Sequence, residues 1–162
     1  MKLLKLTISN IASVTAASID FTAEPLASAS VYLITGNTGS GKTTILDSIC
    51  LALYGTTPRL QRLAEGGHKS VELTDGSKYT DSRAMARRDS VEATAELEFI
   101  GNDGIHYSAT WTPARPYKKQ GKPFRTPAHF LRFTENGREV VIDKVAPLRE
   151  ASSYFMYSSM SR

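Results

Sequence analysis

Cysteine is nearly absent from this sequence: Cys50 is the single one in 162 residues. A lone cysteine cannot close an internal disulfide, which excludes the small disulfide-stapled secreted folds. It lies in an apolar stretch, where a packed thiol is expected rather than a reactive one. Long apolar runs are missing too, and nothing approaches the roughly 20 residues of a membrane-spanning helix. The opening Met1-Lys2-Leu3-Leu4-Lys5-Leu6-Thr7-Ile8 alternates like a strand and lacks the apolar core of a signal peptide. These absences suit a reducing cytoplasm. Histidine is scarce and scattered: His68, His106 and His129 show no metal-ligand spacing and read as ordinary surface or sheet residues. No nucleophile–base pattern is present. Neither sign of charge dominates, since 20 Lys+Arg against 16 Asp+Glu leave +4. That balance permits a nucleic-acid partner without demanding one. What remains is an ordinary globular composition, 41% hydrophobic and 22% charged, long enough for one core or for one lobe of a larger domain.

The stretch that organises the chain is Gly36-Asn37-Thr38-Gly39-Ser40-Gly41-Lys42-Thr43. It has the form Gly, four residues, Gly, Lys, Ser/Thr, which is that of a phosphate-binding loop. Before it, Ser30-Val31-Tyr32-Leu33-Ile34-Thr35 reads as a buried strand. After it, Leu46, Ile49, Cys50 and Leu53 recur at helical spacing up to Tyr54, and Gly55 is the stop. The chemistry follows from the residue types. Gly36, Gly39 and Gly41 lack a Cβ and let the backbone approach phosphate oxygens. The amides of Gly36 to Thr44, including those of Asn37, Thr38 and Ser40, then face an anion at a helix N-terminus. Lys42 reaches the β- and γ-phosphates of ATP, and the Thr43 hydroxyl holds Mg²⁺.

Two strands precede the loop. Lys2 to Ile8 has Leu4, Leu6 and Ile8 on one face; Asn10 to Ser13 is a turn; Ala17 to Phe21 is the second strand; Glu24 to Ser28 is a connection. From Thr56 to Asp89 the pattern weakens. Thr57-Pro58-Arg59-Leu60 breaks from the helix, Gly66-Gly67 and Asp75-Gly76-Ser77 are turn signals, and the stretch reads as a surface segment, with one or two helical turns over Ser82 to Arg88. Ser90 to Phe99 alternates with acids on one face and is joined by Gly101-Asn102-Asp103-Gly104 to Ile105–Trp111. A second hairpin joins His129–Phe133 to Glu139–Ile142 through Glu135-Asn136-Gly137. This is an antiparallel region, not a run of β–α units. Asp143 to Arg149 can start a helix before Pro147 breaks it, and Ser152 to Arg162 has no period.

Between the hairpins, Pro113 to Arg125 carries five positive charges, two aromatics and no acid. Such a loop can track phosphates and stack on bases, or simply keep a hairpin solvated. Hydrolysis needs an acid at the end of an apolar strand. The best match is Val140-Val141-Ile142-Asp143, but Lys144 follows instead of glutamate, so Asp143 reads as a core-facing strand end.

Leu46 to Leu60, with the opening Met1 to Leu6 and Ile19-Asp20-Phe21-Thr22-Ala23-Glu24-Pro25, resembles the N-terminus of the SbcC family, the SMC-like ATPase subunits of bacterial SbcCD nucleases. The resemblance runs from Met1 to Glu65 and resumes from Ala86 to Lys144. It implies an α/β fold, the N-terminal phosphate-loop lobe of an ABC-type head with antiparallel β hairpins. It implies that a C-terminal lobe brings the acid, glutamate and signature motif, and that two heads close on ATP to control a nuclease subunit on double-stranded DNA. Carried over, Gly36, Asn37, Gly39, Gly41, Lys42, Thr43 and Thr44 contact phosphates or Mg²⁺, and Asn10 to Ser13 lie near the base and ribose. Some relatives have an arginine in that turn; here Ala12 takes its place. The family's glutamine after the hairpins has no counterpart, since the only glutamines are Gln61 and Gln120. The whole chain, 1–162, is thus expected to be one head lobe: strands, loop and helix to 60, a surface segment to 89, the β region to 145, then a diverged tail. Its fold is expected to be a mixed sheet wrapping the loop helix, with apolar surface left exposed. The competing readings are a self-contained P-loop kinase or NTPase and a DNA-binding scaffold module using residues 113–125.

Overall fold

A computed structural model describes residues 1–66, 72 and 78–143. Six strands form one sheet: β1 (Lys2–Ile11), β2 (Val14–Asp20), β3 (Thr94–Ile100), β4 (His106–Thr112), β5 (Ala128–Glu135) and β6 (Arg138–Ile142). Their order is β2-β1-β3-β4-β5-β6, and every pairing is antiparallel. Helix α1 (Lys42–Tyr54) lies over β1, β3 and β4. A second helix, α2 (Pro58–Glu65), follows at once.

Register explains where the core sits. Residues directly opposite one another share a face. Ile8, Ala95, Trp111 and His129 form one row across β1, β3, β4 and β5, and Leu6, Leu97, Ala109 and Leu131 form the next. All eight side chains are buried. The reverse face carries Lys5, Glu98, Ser108 and Arg132 and is open. The hairpins close on the signalled turns. Asn136 and Gly137 take φ 51° and 74°, the consecutive positive angles of a tight primed turn, and Gly104 takes φ 80°. Asp103 accepts the Ile105 amide at 2.9 Å, fastening the first turn.

Four expectations are corrected. The sheet is wholly antiparallel rather than mixed, because residues 30–35 form no strand; Val31 and Leu33 are 84% and 86% exposed. The first two strands are longer than expected, and the turn between them is only Ala12-Ser13. The segment after α1 is not merely surface. Thr57 caps α2 by accepting the Leu60 amide at 3.3 Å, Pro58 occupies the first turn, and Leu60, Met85 and Ala86 join the core. Asp143 is exposed just past the edge strand β6, not core-facing. The turns of Ser82–Arg88 appear as a 3₁₀ helix over Ser82–Met85. His68, Gly67, Asp75 to Ser77, Lys144 to Arg149 and the tail to Arg162 lie outside the described residues.

Candidate functional site

Helix α1 is held by both ends. At its C-terminus Gly55 adopts φ 66° and returns its amide to Leu51 at 2.9 Å, a left-handed cap that glycine alone takes without strain. His129 Nε2 lies 2.8 Å from the Ala52 carbonyl, tying the last turn to β5. A Cβ on Gly55 would stand 3.1 Å from the His129 ring. Midway, Asp47 is paired with Arg59 at 2.8 Å, bracing α1 against α2. Burial of the Asp47 carboxyl raises its pKa, against the opposing pull of Arg59 and the Thr57 hydrogen bond. Cys50 is half-buried, and burial, reinforced by the Asp47 charge, raises its thiol pKa above the ordinary value. That is a packed thiol, not an activated one.

The buried face of α1 is not the expected one. Thr44, Asp47, Ser48, Leu51, Ala52 and Leu53 are buried, while Leu46 is 56% exposed. Leu46 and Ile49 instead line a groove of about 520 Å³ with Ile19, Phe21, Leu33 and Ile34. The helix is therefore apolar on two sides, one covered by the sheet and one open. Of the four residues that periodicity singled out, Leu46 and Ile49 line the open side, while Leu53 is buried in the core.

The N-terminus of α1 is where the candidate site lies. Gly41 is the cap residue at φ 90°, and among the described residues no side chain caps the helix. The first-turn amides therefore have no side-chain acceptor and remain available to an anion. Gly36 and Gly39 also have positive φ, 153° and 83°. A Cβ at Gly36 would come within 2.7 Å of Ser40 Oγ, which would have to turn aside, and φ 153° is strained for a side-chain-bearing residue. The Ser40 amide donates to the Asn37 carbonyl at 3.2 Å, and the Ile45 amide to Gly41 at 3.1 Å. Lys42 folds back into the loop, its Nζ donating to the carbonyls of Gly36 and Asn37 at 2.7 Å each. Residues 31–40 and Thr43 are exposed, so the Thr43 hydroxyl is accessible. Thr44, one residue on, is buried.

The β1–β2 hairpin closes beside this loop. Val14 Cγ2 would lie 3.1 Å from a Cβ on Gly41. Its tip is fastened from behind: the Ala12 amide donates to the Met85 carbonyl and the Arg87 amide to Asn10, both at 2.8 Å. Arg87 Nη1 also reaches the Thr15 hydroxyl at 2.9 Å. Asn10, at φ 53°, sends its side-chain amide to the Glu92 carbonyl at 3.1 Å. Of the two hairpin candidates, Ser13 is thus exposed next to the residue that touches the loop, whereas Asn10 is engaged in holding the hairpin to the approach of β3. Sequence reading missed Val14 and the Asp47–Arg59 brace. The second had a signal, Thr57-Pro58, which marks a helix start rather than a break.

His106 is exposed beside Glu98 at 3.5 Å. Among the described residues no three His, Cys, Asp or Glu side chains gather as a metal site, and no helix is long and apolar enough to cross a membrane. A magnesium ion at this loop would rest on a hydroxyl and on phosphate oxygens, a hard-oxygen set that Thr43 fits.

Residues 5–162 match the AAA domain family. The chain is 40% identical over 159 residues to the SbcC subunit of the nuclease SbcCD from Rhodobacter capsulatus, covering 91% of this chain and 12% of that protein. It is 38% identical over 154 residues to the protein of the same name from Pseudomonas aeruginosa, covering 93% and 12%. With the Vibrio cholerae protein of that name the identity is 30% over 138 residues, covering 82% and 12%. The chain thus spans about an eighth of the length of these relatives. The match over residues 5–162 places this protein in the AAA domain family, as a relative of the SbcC subunits of SbcCD nucleases.

Proposed function

We propose that this chain is the phosphate-loop lobe of an SbcC-type ATPase head, binding Mg-ATP through residues 36–44 and turning it over only with a second lobe. The observation that carries this reading is the loop: positive-φ glycines at 36, 39 and 41, an uncapped helix start, and the Lys42 ammonium held inside the curl by two carbonyls. Those carbonyls keep the ammonium where β- and γ-phosphate oxygens would take their place. The amides from Gly36 to Thr44 orient the phosphates, and the Thr43 hydroxyl offers one magnesium ligand. ATP supplies the phosphoanhydride whose hydrolysis would drive head opening. Ser13 and Val14 border the loop on the base and ribose side.

The need for a second lobe is supported by the open apolar side of α1 and by the segment 31–35, which has no strand partner among the described residues. In this reading Asp143, exposed past an edge strand, is not the acid, which the second lobe brings. The further partners in this reading are an SbcD-like nuclease subunit, a second head as homodimer and double-stranded DNA, in the cytoplasm. Titration calorimetry with Mg-ATP, beside phosphate release, tests the proposal. Binding without turnover, lost in Lys42→Ala, is the expected result. Turnover by the chain alone would overturn the half-site reading in favour of a self-contained NTPase. ATP affinity unchanged in Lys42→Ala would overturn the site.

A further inference from the structure

The basic loop from Pro113 to Arg125 is held firmly. Arg115 is buried, and its guanidinium donates from Nε to the Ser90 carbonyl and from Nη2 to the Arg88 carbonyl, each at 2.8 Å. Nη1 donates to the Lys122 carbonyl, and the group lies 4.0 Å over the ring of Phe124. The Arg115 amide bonds to Val91 at 2.8 Å and the Arg125 amide to Ala114 at 3.0 Å, which closes both ends. Gln120 Nε2 adds a bond to the Asp89 carbonyl at 2.8 Å. All these acceptors are carbonyls, so none of these bonds neutralises the Arg115 charge.

This frame holds out Tyr117. It is 87% exposed, as much as any large hydrophobic side chain described. Its φ is 54°, and that of Lys118 is 51°. Two successive side-chain-bearing residues in the left-handed region are disfavoured, and such strain collects where a surface is used. Only four residues on, Gly121 takes the same region at φ 79°, as a turn without such a demand would. The Arg125 guanidinium lies 5.9 Å from the Tyr117 ring. Arg88, Lys119 and Lys122 are exposed around the frame, while Lys118 is paired with Glu92 at 3.0 Å.

A flat ring standing in solvent among cations fits a ligand that offers a π-face and phosphates together. Nucleobases do. In a duplex their faces are covered by stacking, so an unpaired base is the better match. We infer that Tyr117 is a stacking platform for an unpaired base of single-stranded DNA, with Arg125, Lys119 and Lys122 on the adjoining phosphates. The inference extends the proposed DNA partnership to a surface outside the phosphate loop.

Fluorescence anisotropy at low salt, with a short labelled oligothymidine and a blunt duplex of equal length, tests it. Tyr117→Ala is expected to bind oligothymidine at least about fivefold more weakly, while duplex affinity changes by no more than about twofold. Tyr117→Phe should keep both affinities, and Lys119→Glu with Lys122→Glu should weaken both, more so at low salt. Melting temperatures should match the wild type, since these side chains are exposed. No oligothymidine binding by the wild type, equal loss on both ligands in Tyr117→Ala, no loss at all, or Tyr117→Phe behaving like Tyr117→Ala would each overturn the inference. Mg-ATP binding by the same preparations separates the two proposals. Intact ATP binding with a failed DNA result sinks this surface alone, and absent ATP binding sinks the head reading instead.

Discussion

The stretch from β3 to β6 and the stretch from Ser30 to Thr35 are both rich in β-branched and aromatic residues, yet they end differently. β3, β4 and β5 each have a hydrogen-bonded neighbour on both sides, and Phe99, Trp111 and Leu131 are buried. Residues 31–35 have no strand partner among the described residues and lie open. The difference is one of supply. Each hairpin strand finds its partner a few residues away, across a turn whose glycine makes closure cheap. The segment before the glycine-rich loop has no such neighbour among the described residues. β1, which could flank it, is already paired with β2 and β3. Tyr32 ties the segment down through its ring, 5.3 Å from that of Phe21. One region completes itself, and the other leaves its backbone to water and its apolar side chains uncovered.

The comparison can be broken first at the sheet. Trp111→Ala should destabilise the fold by about 3–5 kcal/mol, read by denaturant midpoint, because the side chain is fully buried. A change on the loop should do the reverse. Lys42→Ala is expected to lower Mg-ATP affinity by roughly 10- to 100-fold through lost charge-assisted bonds, with the melting temperature unchanged. If it unfolds the chain, the two regions are not separable. Gly137→Ala should cost about 1–2 kcal/mol, since alanine is strained at φ 74°.

Between the regions, Asp47 gives a pH test. Its folded pKa lies above the ordinary 3.8 because burial disfavours the charge. The folded state therefore holds a proton more tightly than the unfolded chain. The Asp47 contribution should fall as pH rises from the ordinary carboxylate pKa through the raised one. Asp47→Asn should flatten that slope in a series of denaturation curves. The smallest stability effect belongs to Val31→Lys with Leu33→Lys, within about 0.5 kcal/mol each. Self-association measured by sedimentation should nonetheless drop, and no change would deny that this face is sticky.

Much of the molecule was legible residue by residue. The positive φ of Gly36, Gly39 and Gly41 was legible in the glycine spacing ahead of the helix that begins at Lys42. Gly55 marks the helix end, and Asn136-Gly137 marks a turn that needs two positive φ values. Val31 to Ile34 misled because composition reports a preference for extended backbone, not the presence of a neighbour. Leu46 and Ile49 misled for a related reason: periodicity finds an apolar face without saying which surface covers it. The role of Arg115 was illegible, since it rests on carbonyls of Ser90, Arg88 and Lys122 that come together only in the folded loop.

Local structure was therefore written in the order of the residues: the glycine-rich loop, the helix after it, the hairpins and their turns all arise from interactions within a few positions. Tertiary structure was needed to make the sheet antiparallel throughout, to have α1 bury Ser48 and Leu51 rather than Leu46, and to leave Asp143 exposed at an edge. Those outcomes depend on which distant segments compete for the same pairing edges and faces, and no local pattern encodes the winner.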